Sequence, residues 1–182
     1  ILIYLFIFFY FGNYPGIDNN FLINLILILT IILSLNLSGY IYMGDSGAYL
    51  LSLFTGIYLI NFSYNNVFIS PYLIILLLWY PCFELLFSMI RRSIYKSKTY
   101  KPDVLHLHQF IYNLIKSKIT SNDLMCHLFT SLSINFYNLI IFLLALNFVY
   151  NSKILIFILI GNIIIYLVVY KLLQKKNYET SN

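Results

Sequence analysis

Residues 67–90 read VFISPYLIILLLWYPCFELLFSMI and are followed directly by Arg91 and Arg92. The stretch is long and apolar enough for a transmembrane helix, which needs about 20 apolar residues to cross the hydrocarbon core of a bilayer. Its one acidic side chain is Glu84, and Pro81 is expected to kink the helix just before it. A carboxylate inside a span either serves a function or pairs with a neighbouring helix.

The rest of the chain has the composition of a membrane protein. Of its 182 residues, 61% are hydrophobic and 9% are charged, and the mean hydropathy is +0.84; soluble domains have about 45–50% apolar and 25% charged residues. Because spanning segments must satisfy their own backbone hydrogen bonds, these spans predict an all-α polytopic bundle in one membrane domain, residues 1–182. The six predicted spans are residues 1–11, 21–38, 48–63, 67–90, 124–149 and 154–173.

The positive charges orient these spans. Of the 11 Lys and Arg residues, only Lys153 lies between the last two spans, and the others lie in the loop 91–123 or at the end of the last span. Cytoplasmic loops are enriched in Lys and Arg, so the loop 91–123 and the C-terminus are predicted to be cytoplasmic. The spans 48–63 and 67–90 form a hairpin, which brings the loop at 43–47 to the same face.

The first polar segment is residues 43–47, MGDSG. It places Asp45 at the edge of a span, next to Gly44. An aspartate in that position suits Mg²⁺, which takes one or two carboxylates together with substrate phosphates; Mn²⁺ is the alternative ion. Spacing alone favours another interpretation, in which Asp45 or Ser46 is the N-cap of the helix that follows.

The second polar segment is residues 102–108, PDVLHLH. In an extended backbone His106 and His108 point the same way, so both imidazoles can face one ligand. The apolar spacing over 107–115 then predicts an amphipathic helix lying at the cytoplasmic interface. In the alternative interpretation, Asp103 is the N-cap of a helix that starts one residue later. A structural zinc site needs four ligands, and no Cys lies near His106 and His108 in the sequence to complete one.

Together these segments resemble a known family. In chain order, GDSGAY at 44–49, YPCFE at 80–84, RR at 91–92 and KPDVLHLHQFIY at 101–112 resemble the motifs of polyprenyl-phosphate N-acetylhexosamine-1-phosphate transferases. That family includes relatives of the enzymes that start O-antigen and teichoic-acid linkage synthesis and of phospho-MurNAc-pentapeptide translocase. The resemblance implies transfer of a sugar-1-phosphate from a UDP-N-acetylhexosamine to a polyprenyl phosphate such as undecaprenyl phosphate. UMP is released, and the reaction serves cell-envelope polysaccharide synthesis at the inner face of a bacterial cytoplasmic membrane.

The resemblance also implies roles for individual residues in this Mg²⁺-dependent phosphoglycosyltransferase. Asp45 corresponds to the metal-binding aspartate, and His106 and His108 correspond to the catalytic histidines that contact the nucleotide-sugar phosphates. The implied substrate contacts are Arg91, Arg92, Asp103, Gly44 and Ser46. The implied partners are the UDP-sugar, the polyprenyl phosphate and the bilayer, without nucleic acid, and a homodimer stays open.

Two departures from the family pattern limit these expectations. The upstream Asp-Asp and Asn/Asp-Gly motifs do not occur, so we expect the C-terminal part of a larger transferase that is inactive alone; loss of only an initiator Met is the alternative. Gln109 stands where many members carry a further His, which argues against the translocase and leaves the sugar open. The competing functions are a membrane transporter, which would favour charges near the bilayer centre, and a non-catalytic relic of the transferase fold.

Overall fold

The computed structural model describes residues 2–13, 18–94 and 105–181, which form eight α-helices and no strand. The helices are α1 (Leu2–Phe11), α2 (Asn19–Leu37), α3 (Gly44–Asn65), α4 (Pro71–Leu77), α5 (Trp79–Ile94), α6 (Leu107–Lys118), α7 (Asp123–Leu146) and α8 (Ser152–Ser181). The predicted all-α class is therefore confirmed for this part of the chain. Asp103, which both interpretations of the second polar segment involve, lies outside the described residues.

Four helices are long and apolar enough to cross a membrane, namely α2, α3, α7 and α8. The pair α4 and α5 passes the same test together, so the described residues hold up to five spans by length and composition. The sixth predicted span, residues 1–11, is not borne out. Its helix α1 has 10 residues, which cover about 15 Å, half the thickness of the hydrocarbon core.

The long helices keep most of their apolar surface on the outside. Only 11% to 22% of the most apolar window of each candidate span is buried inside the protein. Phe157 in α8 exposes 74% of its surface and Ile60 in α3 exposes 71%. Apolar surface of this extent is typical of helices that contact lipid or a partner rather than water.

The helices α4 and α5 meet at a bend of 69°. The bend lies where Pro81 predicts it, because a proline ring clashes with the carbonyl of the residue four positions earlier. That residue is Leu77, the last of α4. After the bend, the indole N–H of Trp79 donates to Oδ1 of Asn138 in α7 over 3.0 Å. The bend thus directs the start of α5 towards α7.

Contacts within the chain divide it into two compact units, Ile1–Ile74 and Ile75–Asn182. In the first unit, the Tyr4 hydroxyl lies 2.8 Å from the Thr55 hydroxyl, which joins α1 to α3. The rings of Phe11 and Phe62 meet edge to face at 5.3 Å between centroids. Aromatic packing therefore holds the short first helix against the third.

In the second unit, α6 packs against both α7 and α8. Its buried side chains are Leu107, Phe110 and Ile115. The core around them is largely aromatic, and Tyr170 of α8 packs edge to face against Phe110 at 5.2 Å. A helix is therefore present where the sequence predicted one after the histidines, while its position at the membrane interface stays a prediction.

Candidate functional site

A buried carboxylate in α5 is the centre of the polar cluster in the second unit. Glu84 is 9% exposed. Its Oε1 lies 3.0 Å from Nδ1 of His106 and accepts the backbone N–H of Leu107 over 3.0 Å. Its Oε2 accepts the hydroxyl of Tyr166, in α8, over 2.6 Å. One side chain therefore connects α5, the start of α6 and α8.

The two histidines lie at the point where an extended segment becomes a helix. His106 has an extended backbone and is the N-cap residue of α6, which begins at Leu107. The rings of His106 and His108 are stacked, with centroids 5.3 Å apart and an angle of 15° between the planes. The two imidazoles therefore lie side by side, but His108 belongs to α6 and not to the extended segment that the prediction assumed. The alternative start of the helix, directly after Asp103, is wrong, because Leu105 and His106 are not helical.

The environment of His108 sets its charge. Burial lowers the pKa of His108 below the ordinary 6.5, the carboxylate of Glu84 raises it, and the neighbouring ring of His106 lowers it further. The net shift of the pKa is downward, which favours the neutral imidazole of His108 at pH 7. It can then both donate and accept a hydrogen bond.

Arg91 fixes the backbone just before the histidines. This arginine is 8% exposed and lies in the last turn of α5. Its guanidinium donates to the carbonyl of Leu105 and to the hydroxyl of Tyr170, the latter over 2.5 Å. These two contacts are intramolecular and structural. The predicted role of Arg91 and of half-buried Arg92 in substrate binding stays a prediction.

The sequence missed the link between Glu84 and the histidines. It marked Glu84 as a carboxylate that pairs with a neighbouring helix, and Tyr166 of α8 is such a partner. The contact with His106 joins residues 22 positions apart. Only the order of motifs that resembles the family placed Glu84 and His106 in one pattern. That order does not say how far apart the two side chains lie.

Asp45 belongs to the first unit. It lies in the first turn of α3 with its side chain exposed, and no donor of the described residues is within hydrogen-bond distance of its carboxylate. The N-cap of α3 is Met43, so the interpretation of Asp45 or Ser46 as the N-cap is wrong. Gly44 has a φ of +64°, which favours glycine. The backbone conformation therefore accounts for a glycine at position 44. The predicted substrate contacts of Gly44 and Ser46 stay predictions.

The donor sets of the two units suit different ions. A single exposed carboxylate such as Asp45 fits Mg²⁺, which binds one or two carboxylates and completes its shell with phosphate oxygens and water. Ligand atoms of Glu84, His106 and His108 lie within 4.8 Å of one another. Imidazole nitrogens suit zinc and other transition metals better than Mg²⁺. The predicted Mg²⁺ site thus fits Asp45 and not the histidine cluster.

Two cavities adjoin the histidine segment on different faces of α6. One, of about 140 Å³, is almost wholly apolar and lies among α5 to α8, with Leu107, Ile111 and Tyr166 in its wall. The other, of about 540 Å³, is open and more polar, and its wall includes His108, Gln109 and His127. The start of α6 therefore separates an almost wholly apolar space from one with a mixed polar and apolar lining.

Comparison of the chain with protein-family models, with curated proteins and with solved structures finds no match. What the described residues define is a helical protein with the helices of a membrane protein. Its second unit carries a buried carboxylate, a half-buried imidazole and an exposed imidazole beside two cavities, one almost wholly apolar and one of mixed lining.

Proposed function

We propose that this protein is a membrane phosphoglycosyltransferase that moves N-acetylhexosamine-1-phosphate from a UDP-sugar to a polyprenyl phosphate. The observation that carries the proposal is the stacked pair His106 and His108, anchored by Glu84 between the two cavities. A reaction between a water-soluble nucleotide sugar and a lipid phosphate needs such a border between polar and apolar space. The order of motifs around Asp45, Glu84 and the histidines supports the same reaction.

In this reaction a phosphate oxygen of the polyprenyl phosphate attacks the phosphorus that carries the sugar. The new P–O bond forms the lipid pyrophosphate, and the bond to the bridging oxygen breaks, so that UMP leaves. Phosphoryl transfer depends mainly on positioning and on neutralisation of charge. His108, and His106 in its imidazolium form through Nε2–H, would donate hydrogen bonds to the phosphate oxygens. Asp45 would hold Mg²⁺, which when bound neutralises pyrophosphate charge.

The proposal includes a place in the cell. The basic residues at the end of α5, in α6 and at the end of α8 favour the cytoplasmic side of a bacterial inner membrane. Arg91 in the last turn of α5 bonds Tyr170 in the C-terminal half of α8, which supports placing these basic ends at one face. The reaction would then use cytoplasmic UDP-sugar and belong to cell-envelope polysaccharide synthesis.

Replacing Asp45 by Asn tests the proposal. In membranes that contain the full-length protein, UDP-N-acetylhexosamine, undecaprenyl phosphate and Mg²⁺, we expect Asp45→Asn to abolish UMP release. The physical reason is loss of the carboxylate charge that binds the ion. UMP release is measured by a coupled assay at several Mg²⁺ concentrations, and omission of Mg²⁺ should abolish release by the natural protein.

Asp18→Asn is the matched control, because Asp18 is an exposed N-cap at the start of α2 and Asn caps a helix equally well. It should release UMP at the normal rate. Normal turnover by Asp45→Asn would contradict the metal assignment. Tight UDP-sugar binding by the natural protein without any UMP release would instead favour a non-catalytic relic.

A further inference from the structure

The three groups around Glu84 define its chemical state. The backbone N–H of Leu107 and the phenol of Tyr166 can only be donors to a carboxylate oxygen, and the third neighbour is Nδ1 of His106. An ionised carboxylate is an acceptor only and can satisfy several donors at once. An ionised Glu84 accepts all three hydrogen bonds, and Nδ1 of His106 then carries a proton.

A proton on Nδ1 determines what the other ring nitrogen does. In the neutral ring Nε2 then carries the lone pair, and in the imidazolium form Nε2 carries a second N–H. Both forms keep the contact with Glu84, so the orientation of the ring does not change with its charge. A carboxylate that fixes the tautomer of a functional histidine in this way recurs in metal sites and hydrolase triads.

The same carboxylate also fixes the backbone that carries the ring. Leu107 is the first residue of α6, and its N–H is one of the amides that the helix itself cannot satisfy. A negative charge at the N-terminus of α6 also interacts favourably with the helix dipole. Arg91, two turns further along α5, holds the carbonyl of Leu105. Glu84 and Arg91 therefore hold the segment 105–107 from both sides.

We propose that Glu84 is the positioning residue of the histidine pair: it holds His106 as the Nδ1–H tautomer and directs Nε2 towards the substrate. That Nε2 meets a phosphate of the nucleotide sugar rests on the proposed function. The tautomer and the orientation of the ring rest on the geometry around Glu84 alone. Glu84 does not touch the reacting atoms in this assignment.

A metal ion is the competing use of the same atoms. The ligand atoms of Glu84, His106 and His108 are close enough together to hold one ion. An ion bound between Oε1 and Nδ1 would replace the proton that these two atoms share over 3.0 Å. If Glu84 positions the ring, Nδ1 of His106 is protonated; if a metal ion is bound, Nδ1 carries no proton.

The test is ¹⁵N NMR of the full-length protein with labelled histidine, in lipid nanodiscs. The 182 residues of the chain include 3 histidines, and His106→Gln identifies the signals of His106. At pH 8 we expect Nδ1 of His106 to be protonated and Nε2 to be unprotonated. In Glu84→Gln we expect a mixture of tautomers, and in Glu84→Asp a partial return to the natural state.

A kinetic measurement accompanies the spectra. Glu84→Gln should lower kcat for UMP release about 10- to 100-fold, the usual effect of removing an outer carboxylate partner of a functional histidine. The effect on KM should be smaller.

Tyr166→Phe removes one donor to Glu84 and should shift the signals of His106. The matched control Tyr137→Phe removes a hydroxyl that bonds Asn162 and should leave them unchanged. The fluorescence of Trp79, the only Trp of this chain, verifies folding next to the site.

Two outcomes would overturn the assignment. One is a His106 ring with Nε2 protonated and Nδ1 bare in the natural protein. The other is stoichiometric binding of Zn²⁺ that depends on Glu84. If the protein releases no UMP but His106 is the Nδ1–H tautomer, the proposed function fails and the positioning role of Glu84 stands.

Discussion

At the scale of the residue, two charged side chains of the second unit, Glu84 and Arg91, hold one short segment, residues 105–107. Glu84 satisfies an amide and an imidazole, and Arg91 satisfies a carbonyl. Removing one partner of a buried charge leaves the other uncompensated, which is why such pairs constrain a site more than they stabilise a fold. Tyr166 and Tyr170 of α8 complete the arrangement through their hydroxyl groups.

The lowered pKa of His108 makes a prediction about pH. Because its folded pKa lies below 6.5, the folded state binds fewer protons than the unfolded state in that range. The contribution of His108 to stability is therefore complete above pH 6.5 and is lost as the pH falls towards the folded pKa. Unfolding of the natural protein and of His108→Gln in mixed micelles, measured between pH 8 and pH 5, checks this.

We expect the difference in free energy of unfolding between the two proteins to be constant above pH 7 and to change as the pH falls below 6.5. Acidification should cost the natural protein more stability than His108→Gln. Lys116 serves as the comparison, because its hydrogen bond to Asp123 raises its pKa above 10.5. Lys116→Met should therefore add no pH dependence in this range. Equal pH profiles for the natural protein and His108→Gln would contradict the shift.

At the scale of the element, α6 owes its start to a residue of another helix. Its first turn has no acidic residue, and Glu84 of α5 supplies the negative charge there. The far end is held by exposed contacts, in which Asp123 accepts from Tyr112 over 2.8 Å and from Lys116 over 2.7 Å. Exposed ion pairs contribute little to stability. The position of α6 therefore depends on its buried face and on Glu84.

Also at the scale of the element, we predict that Pro81 maintains the bend between α4 and α5. In Pro81→Ala a new N–H can reach the carbonyl of Leu77 and continue the helix. We expect the bend to relax and Trp79 to leave Asn138, which changes the fluorescence emission of this only Trp. The matched control is Pro71→Ala. Pro71 is the first residue of α4, where proline costs nothing, and its replacement should leave the emission unchanged.

An unchanged emission spectrum in Pro81→Ala, in a protein that still folds, would contradict the role of the proline ring. The packing of Trp79 against α7 and α8 would then set the bend by itself. The result matters for the site, because α5 carries both Glu84 and Arg91.

At the scale of the whole molecule, the direction of the bent pair decides the topology. If α4 and α5 together cross the membrane, the segments before α3 and after α5 lie on the same side. If they re-enter, those segments lie on opposite sides. The distribution of Lys and Arg assigns the end of α5 and the end of α8 to one side in both cases, so a direct measurement must distinguish a crossing from re-entry.

Cysteine labelling in intact cells tests this topology. In a background without Cys82 and Cys126, exposed positions are changed to cysteine and treated with a membrane-impermeant maleimide. We expect Ser46→Cys and Ser121→Cys to react only after permeabilisation. Asn151→Cys, between α7 and α8, should react from outside and is the control. Labelling of Ser46→Cys and Ser121→Cys from opposite sides would contradict a crossing and favour re-entry.

The sequence alone determined the class of the fold and most of its elements. Hydropathy defined five of the six predicted spans to within a few residues, because a helix that contacts lipid must be apolar on nearly all sides. Pro81 marked the bend, since its effect on the backbone is local. The predicted span at residues 1–11 stays a prediction, because the described helix there, α1, has 10 residues.

Only the tertiary structure decided which polar groups meet. Glu84 reaches His106, Leu107 and Tyr166 because α5, α6 and α8 converge, and no periodicity in the sequence encodes a distance between residues that far apart. It also placed Arg91 as a support of the backbone at Leu105, while its expected contact with substrate stays a prediction. A buried charge must find its partners inside the fold, and those partners are fixed by packing.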